Sequence, residues 1–309
     1  MISYRKGLFT ILALIFWAAG ICRAMPETHK AKDGVLLPQI FRDMQELSVA
    51  YLRPGEIRER LDKMPIVYIP IGPLEWHGLH MPFGSDPLDA QTVALAACRV
   101  TGGVVWPPLY LGAANLRTPE QAEGIFGFEK GQYVWSLDFP GNIVPSAFCP
   151  AEILAVVVRE TIREAAAMGA KLVVVISGHE ASNHVTTLQR IATEITASGQ
   201  TRVYYRSAVT REEPSPGTGG HACAWETSLM MAQTRSVSLG ELPPLPKRLK
   251  YSETGIVDNF NGTGRPGYTV ADETDPRLKA SVELGEKATA DAVRETVEDV
   301  LAEFGQLKK

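Results

Sequence analysis

The sequence predicts an α/β fold, a doubly wound and mainly parallel sheet with helices on both faces. Three observations carry this. Short apolar, β-branched runs at residues 66–71, 104–106, 171–176 and 202–205 read as strands. Helical patterns at 88–100, 152–168 and 184–197 separate them, and that alternation sets successive strands parallel with helices above and below. The loops after the strands gather glycines, carboxylates and imidazoles, as ligand sites do at the carboxyl edge of open sheets.

Residues 1–24 stand apart from this pattern. Arg5 and Lys6 precede an apolar run over 8–21, and small residues before Met25 permit cleavage after Ala24, so the segment reads as a signal peptide. The run is short for a spanning helix, which needs about 20 apolar residues, and no second hydrophobic span follows. The expected mature protein is one domain over 25–309, exported to the periplasm or secreted; an uncleaved N-terminal anchor is the alternative. Hydrophobic residues make up 45% and charged residues 21%, the balance of a globular domain with a sizeable core. A net charge of -4 with no long basic run excludes nucleic acid and an anionic membrane as expected partners. Cys98, Cys149 and Cys223 remain after cleavage, and their spacing assigns no disulfide.

Taken in order, residues 45–51 and 56–64 can each form a short covering helix on either side of the Arg53-Pro54-Gly55 turn. The first strand ends at Gly72-Pro73. Asp86-Pro87 reads as an N-cap followed by proline at the first helical position, and Gly102-Gly103 ends that helix. Residues 107–150 read as a long loop rich in Gly, Pro and aromatics, a length that usually marks a lid, a pocket wall or a subunit contact. The helix over 152–168 closes at Gly169. A helix over 225–233 follows a turn-rich connection, and a final amphipathic helix is expected over 278–304.

Four of the six histidines fall in the loops after strands: His77, His80, His179 and His221. Glu75 and His77 are two apart, so an extended segment points them to one side, and an oxygen beside an imidazole nitrogen suits a first-row divalent metal. Asp86 has two oxygens with which to bridge two metals, or it caps the next helix. His179 follows a buried strand, and Glu180 beside it is a ligand or a solvent-facing residue. His221 follows two glycines, and Glu226 five residues on could be a ligand or could orient it; such a histidine suits acid catalysis on a leaving amine. His80 reads as a supporting partner, His184 as a structural helix residue and Cys223 as a small packing residue.

The run Gly72-Pro73-Leu74-Glu75-Trp76-His77-Gly78-Leu79-His80-Met81-Pro82 through Asp86 resembles the signature of the creatininase (creatinine amidohydrolase) family. Ser177-Gly178-His179 and His221 with Glu226-Thr227-Ser228 match it in order and spacing, and the resemblance runs from about residue 60 to the C-terminus. It implies a doubly wound domain, a homohexamer, and a binuclear centre of zinc or manganese, with iron as a further possibility. Such a centre hydrolyses C-N bonds of small cyclic or linear amides by attack of a metal-bound hydroxide. Position by position, Glu75 and His179 would bind one metal, His77 the other, Asp86 would bridge, and His221 would protonate the departing nitrogen. Creatininase supplies a further glutamate two residues after the histidine matching His179; this chain has Ala181 there, so Glu226 or, alternatively, Glu180 completes the set. The segment before His221 also lacks the tryptophans that close over creatinine, so a different amide or lactam is the expected substrate. A metal-dependent lactonase or esterase, and an exported protein that binds metal or ligand without turnover, are the rival readings.

Overall fold

The computed structural model describes residues 37–119, 133–138, 142–199, 201–211, 220–234, 236–258 and 269–307. The expected signal peptide lies outside them, and none of their helices is long and apolar enough to cross a membrane. Helices α1 (Leu37–Leu47) and α2 (Pro54–Lys63) precede strand β1 (Ile66–Gly72), which leads through a loop into α3 (Ser85–Thr101). Three short strands follow, β2 (Val104–Val105), β3 (Leu109–Tyr110) and β4 (Leu116–Arg117), the last paired antiparallel with β5 (Val134–Trp135). Then α4 (Ala151–Ala167), β6 (Leu172–Ser177), α5 (Ser182–Ser198) and β7 (Arg202–Ser207) alternate as the sequence predicts. The last part carries β8 (Gly220–His221), α6 (Ala224–Gln233), α7 (Tyr251–Thr254), β9 (Val257–Asp258), α8 (Pro276–Lys279) and the long α9 (Val282–Gln306).

The main sheet runs β2-β1-β6-β7, with β3 pairing the carboxyl end of β1, and every pair is parallel. A strand covered on both faces needs apolar side chains at odd and even positions alike. Both β1 and β6 meet this and are buried throughout. With a period of two, Val67, Ile69, Val173 and Val175 pack with Leu154 and Ile162 of α4 and Ile191 of α5. On the opposite face Ile66, Tyr68, Val174 and Ile176 pack with Val93 and Ala97 of α3 and Val300 of α9. A third apolar cluster joins Trp225 and Leu229 of α6 to Tyr251 and Ile256.

Strands β1 and β6 are neighbours, yet the chain leaves β1 for α3 on one face and β6 for α5 on the other. Their carboxyl ends therefore open a crevice between diverging loops. Asp86 is laid across its floor. A Cβ on Gly178 would stand 2.1 Å from the Asp86 carbonyl oxygen, and one on Gly72 would stand 2.6 Å from the Asp86 Cβ. Only glycine admits backbone at that range.

Several expectations are corrected. The cap of α3 is Gly84, so Asp86 lies inside the first turn, where the helix dipole favours its carboxylate. The first helix ends at Leu47, because Ser48 is drawn into a bridge with Val105. The final helix is two: Asp275 caps α8 by accepting from the Arg277 N–H, and Ser281 caps α9 by accepting from the Leu284 N–H. Within the expected loop over 107–150, the described residues form β3, β4 and β5.

Helix α9 is tied to β7 by a buried ion pair, Arg206 to Glu295 at 2.7 Å. Glu295 also accepts from the Thr210 hydroxyl and the Arg211 N–H, at 2.7 and 3.0 Å. Burial works against its charge, but the Arg211 N–H, Thr210 and Arg206 outweigh it and hold the carboxyl below its usual range. The Glu295→Ala variant leaves Arg206 to the longer contact with Asp299 at 3.5 Å and should lose about 2 kcal/mol in urea unfolding at pH 7. A depressed carboxyl stabilises above the unfolded pKa, so the gap from wild type should narrow as pH falls below about 4. Gly178→Ala should cost about 1–3 kcal/mol in the same assay, since β6 or the start of α3 must give way.

Candidate metal centre

The loop between β1 and α3 is folded back on itself. Glu75 N–H donates to the Phe83 carbonyl at 3.0 Å, the Ser85 hydroxyl to the Pro82 carbonyl at 2.7 Å, and Trp76 N–H to the Ser146 hydroxyl at 3.0 Å. This turns Glu75 and His77 into the crevice, where both are buried together with Asp86 and His179.

Asp86 is the centre of the group. His77 Nε2 lies 3.1 Å from Asp86 Oδ1, and His179 Nδ1 lies 3.1 Å from Asp86 Oδ2 and 2.9 Å from Glu75 Oε2. Two imidazoles thus flank the two oxygens of one carboxylate. The outer nitrogens are fixed by backbone: His77 Nδ1 stands 3.1 Å from the Glu75 carbonyl and His179 Nε2 stands 3.1 Å from the Ala113 carbonyl. A carbonyl only accepts, so those nitrogens carry protons and the inner nitrogens face the carboxylates, open to a proton or a metal, the arrangement by which proteins orient histidine ligands. Asp86 Oδ2 is buried and has no hydrogen-bond partner. The donors Glu75, Asp86 and His179 all lie within 4.8 Å of one another, and a divalent cation held among them would satisfy that oxygen.

Glu226 reaches the other side of His77, with Oε2 at 3.6 Å from Nε2. Its position is set by the turn before α6, where Ala222 has a positive φ of 54° and donates its N–H to Glu226 Oε2 at 2.5 Å. Glu180 is turned away; it accepts from the Ser207 hydroxyl at 2.7 Å. Of the two carboxylates that the sequence left open, Glu226 is therefore the one brought to the cluster. His77 thus stands between two carboxylates, Asp86 at 3.1 Å and Glu226 at 3.6 Å.

His221 packs on His77 with ring centroids 4.4 Å apart, and its Nε2 donates to the Trp76 carbonyl at 2.6 Å. A ring nitrogen of His221 also falls within 4.8 Å of donor atoms of Glu75 and His77.

The electrostatics follow from burying opposite charges together. Burial alone would lower the pKa of His77, but Asp86, Glu226 and Glu75 outweigh it and raise it to about 10. His179 is likewise raised well above its ordinary value, by Glu75 and Asp86 against burial. Burial, with Asp86 and Glu75 nearby, pushes Glu226 up to about 7 against the pull of His77 and the Ala222 N–H. Burial and the neighbouring His77 charge lower His221 to about 4.

The remaining histidines are supports. His184 Nδ1 accepts from the Ala113 N–H at 3.2 Å, so its Nε2–H donates to Ser177 Oγ at 3.0 Å, and Ser177 in turn donates to the His179 carbonyl at 2.9 Å. His80 binds the Thr227 hydroxyl at 2.8 Å and joins the first loop to α6. Cys223 is buried and donates to the Val257 carbonyl, as a packing residue would. Sequence reasoning missed Ala113, whose backbone orients both His179 and His184; its side chain carries no signal of that role.

The comparisons agree with this architecture. Residues 50–300 match the Creatininase family, creatinine amidohydrolase. No curated protein matches the chain. A crystal structure of creatinine amidohydrolase (creatininase) is 23% identical, with a TM-score of 0.60 over 84% of this chain and 98% of that one. A manganese form of creatininase is 23% identical over 84% and 99%, with a TM-score of 0.57. A Zn-Zn form of a creatininase mutant is 24% identical over 83% and 97%, with a TM-score of 0.58. These likenesses show the fold, and the match over 50–300 shows more: the chain belongs to the creatininase family.

Proposed function

We propose that this protein is a metal-dependent amidohydrolase that cleaves a C-N bond of a small cyclic or linear amide. The observation that carries the reading is the pair of imidazole nitrogens set 3.1 Å from the two oxygens of buried Asp86. Glu75, Asp86 and His179 would hold one divalent cation, zinc or manganese, and His77, Asp86 and Glu226 a second, with Asp86 shared. Cations held there polarise a carbonyl and lower the pKa of water to about 7. The existence of manganese and Zn-Zn forms of creatininase, and of a creatininase mutant complexed with creatine, supports a metal site and a small-molecule substrate. The reading includes export, from the pattern of residues 1–24, and a homo-oligomer, from the family.

His221 has the work of moving a proton. Its Nε2–H is committed to the Trp76 carbonyl, which leaves Nδ1 as the acceptor, and burial favours the neutral ring. A neutral imidazole must take a proton before it gives one. In this reading Nδ1 accepts the proton of the attacking water and then delivers it to the departing nitrogen, while the Trp76 carbonyl steadies the charged ring.

Elemental analysis of the purified mature protein should find close to two equivalents of zinc or manganese per chain, and Glu75→Ala combined with His77→Ala should abolish them. A wild-type protein that neither holds metal nor takes it up on reconstitution would remove the mechanism. The His221→Ala variant should keep its metal but lose about 10²–10⁴-fold in kcat on whichever amide or lactam the wild type turns over. Unchanged turnover would assign the proton transfer elsewhere.

A further inference from the structure

A cavity of about 310 Å³ opens beside the centre, and His77 forms part of its wall. The rest of the described wall is apolar: Trp76, Gly78, Leu79, Met81 and Phe83 from the first loop, with Ile143 and Val144. His77 is thus the one titratable side chain among the described residues that line it. The volume suits a group of several carbon atoms and not a macromolecular segment.

The wall at Ile143 and Val144 is built, not incidental. Asp138 accepts from the Asn142 amide at 2.9 Å, the Ser146 hydroxyl at 2.7 Å and the Ser146 N–H at 3.0 Å. Ser146 Oγ then accepts from the N–H of Trp76, one residue from His77. The segment bearing Ile143 and Val144 is therefore pinned to Asp138 at both ends and, through Ser146, to the loop that carries the donor set. Yet Ile143 is 75% and Val144 45% exposed. Two large β-branched side chains open to solvent in the same cavity as Leu79 and Phe83 leave apolar surface for a substrate to cover.

We infer that this cavity is the subsite for an uncharged hydrocarbon portion of the substrate, so that the enzyme acts on amides or lactams carrying an alkyl or aryl group beside the scissile bond. The inference rests on the hydrolase reading above and names its substrate class. A charged or strongly polar substituent would lose its hydration against this wall without gaining a partner.

The experiment uses the zinc-loaded protein and two hydroxamates, acetohydroxamate and hexanohydroxamate, titrated calorimetrically. They share one chelating head and differ by four methylenes. Each buried methylene tightens binding by about 3-fold, so hexanohydroxamate should bind at least ~30-fold tighter. Val144→Asp, at a half-exposed position and checked by its melting temperature, should bring the ratio of the two affinities close to 1, and Ile143→Asp should do likewise. If acetohydroxamate binds but the longer chain binds no tighter, the subsite is overturned and the metal reading stands. If the ratio survives both variants, the chain lies elsewhere and the subsite is again overturned. If neither hydroxamate binds zinc-loaded protein, the hydrolase reading fails and the substrate class falls with it.

Discussion

The structure depends on one close approach, the backbone of Asp86 pressed between Gly72 at the end of β1 and Gly178 after β6. The two central strands pair in parallel from Ile66↔Leu172 to Ile71↔Ser177. That register brings Gly72 and Gly178 level, and the first turn of α3 can then lie across both. A side chain at either position would lift the helix and carry Asp86 away from His77 and His179. Sheet register, helix entry and carboxylate position are one constraint.

From that placement follows an unusual concentration of buried charge. Glu75, Asp86, His77 and His179 are all nearly inaccessible, and each charged form persists only because an opposite charge is within hydrogen-bonding range. Without a cation, protons on the two imidazoles neutralise the carboxylates, which is why both histidines are raised. The same lone pairs serve either a proton or a metal. The outer shell makes the choice of ring face permanent, since the carbonyls of Glu75 and Ala113 fix which nitrogen points inward.

Much of this was legible in the sequence. Continuous β-branched runs at Ile66–Gly72 and Leu172–Ser177 announce strands buried on both faces, and the Glu75-x-His77 pair after the first of them is local and directional. Asp86 was legible as a candidate but misplaced as a cap, because Asp-Pro is an ordinary helix start and the close packing that takes Asp86 one residue into the helix is tertiary. Which of Glu180 and Glu226 stands beside His77 was not legible. It is decided by Ser207 at the end of β7, which holds Glu180, and by the left-handed turn at Ala222, which aims Glu226; neither leaves a mark in local spacing. The break between α8 and α9 hinged on Asp275 and Ser281 as caps, residues equally at home on the surface of one continuous helix.

The donors of the proposed centre come from residues 75 to 226, and His179 is brought to Glu75 and Asp86 by the pairing of β1 with β6 across about a hundred residues of intervening chain. An unfolded chain therefore offers a cation nothing comparable to the native site, and the affinity of the centre belongs wholly to the folded state. A cation held there would act as a clasp across the crevice, adding to the stability of the native fold by mass action as its free concentration rises.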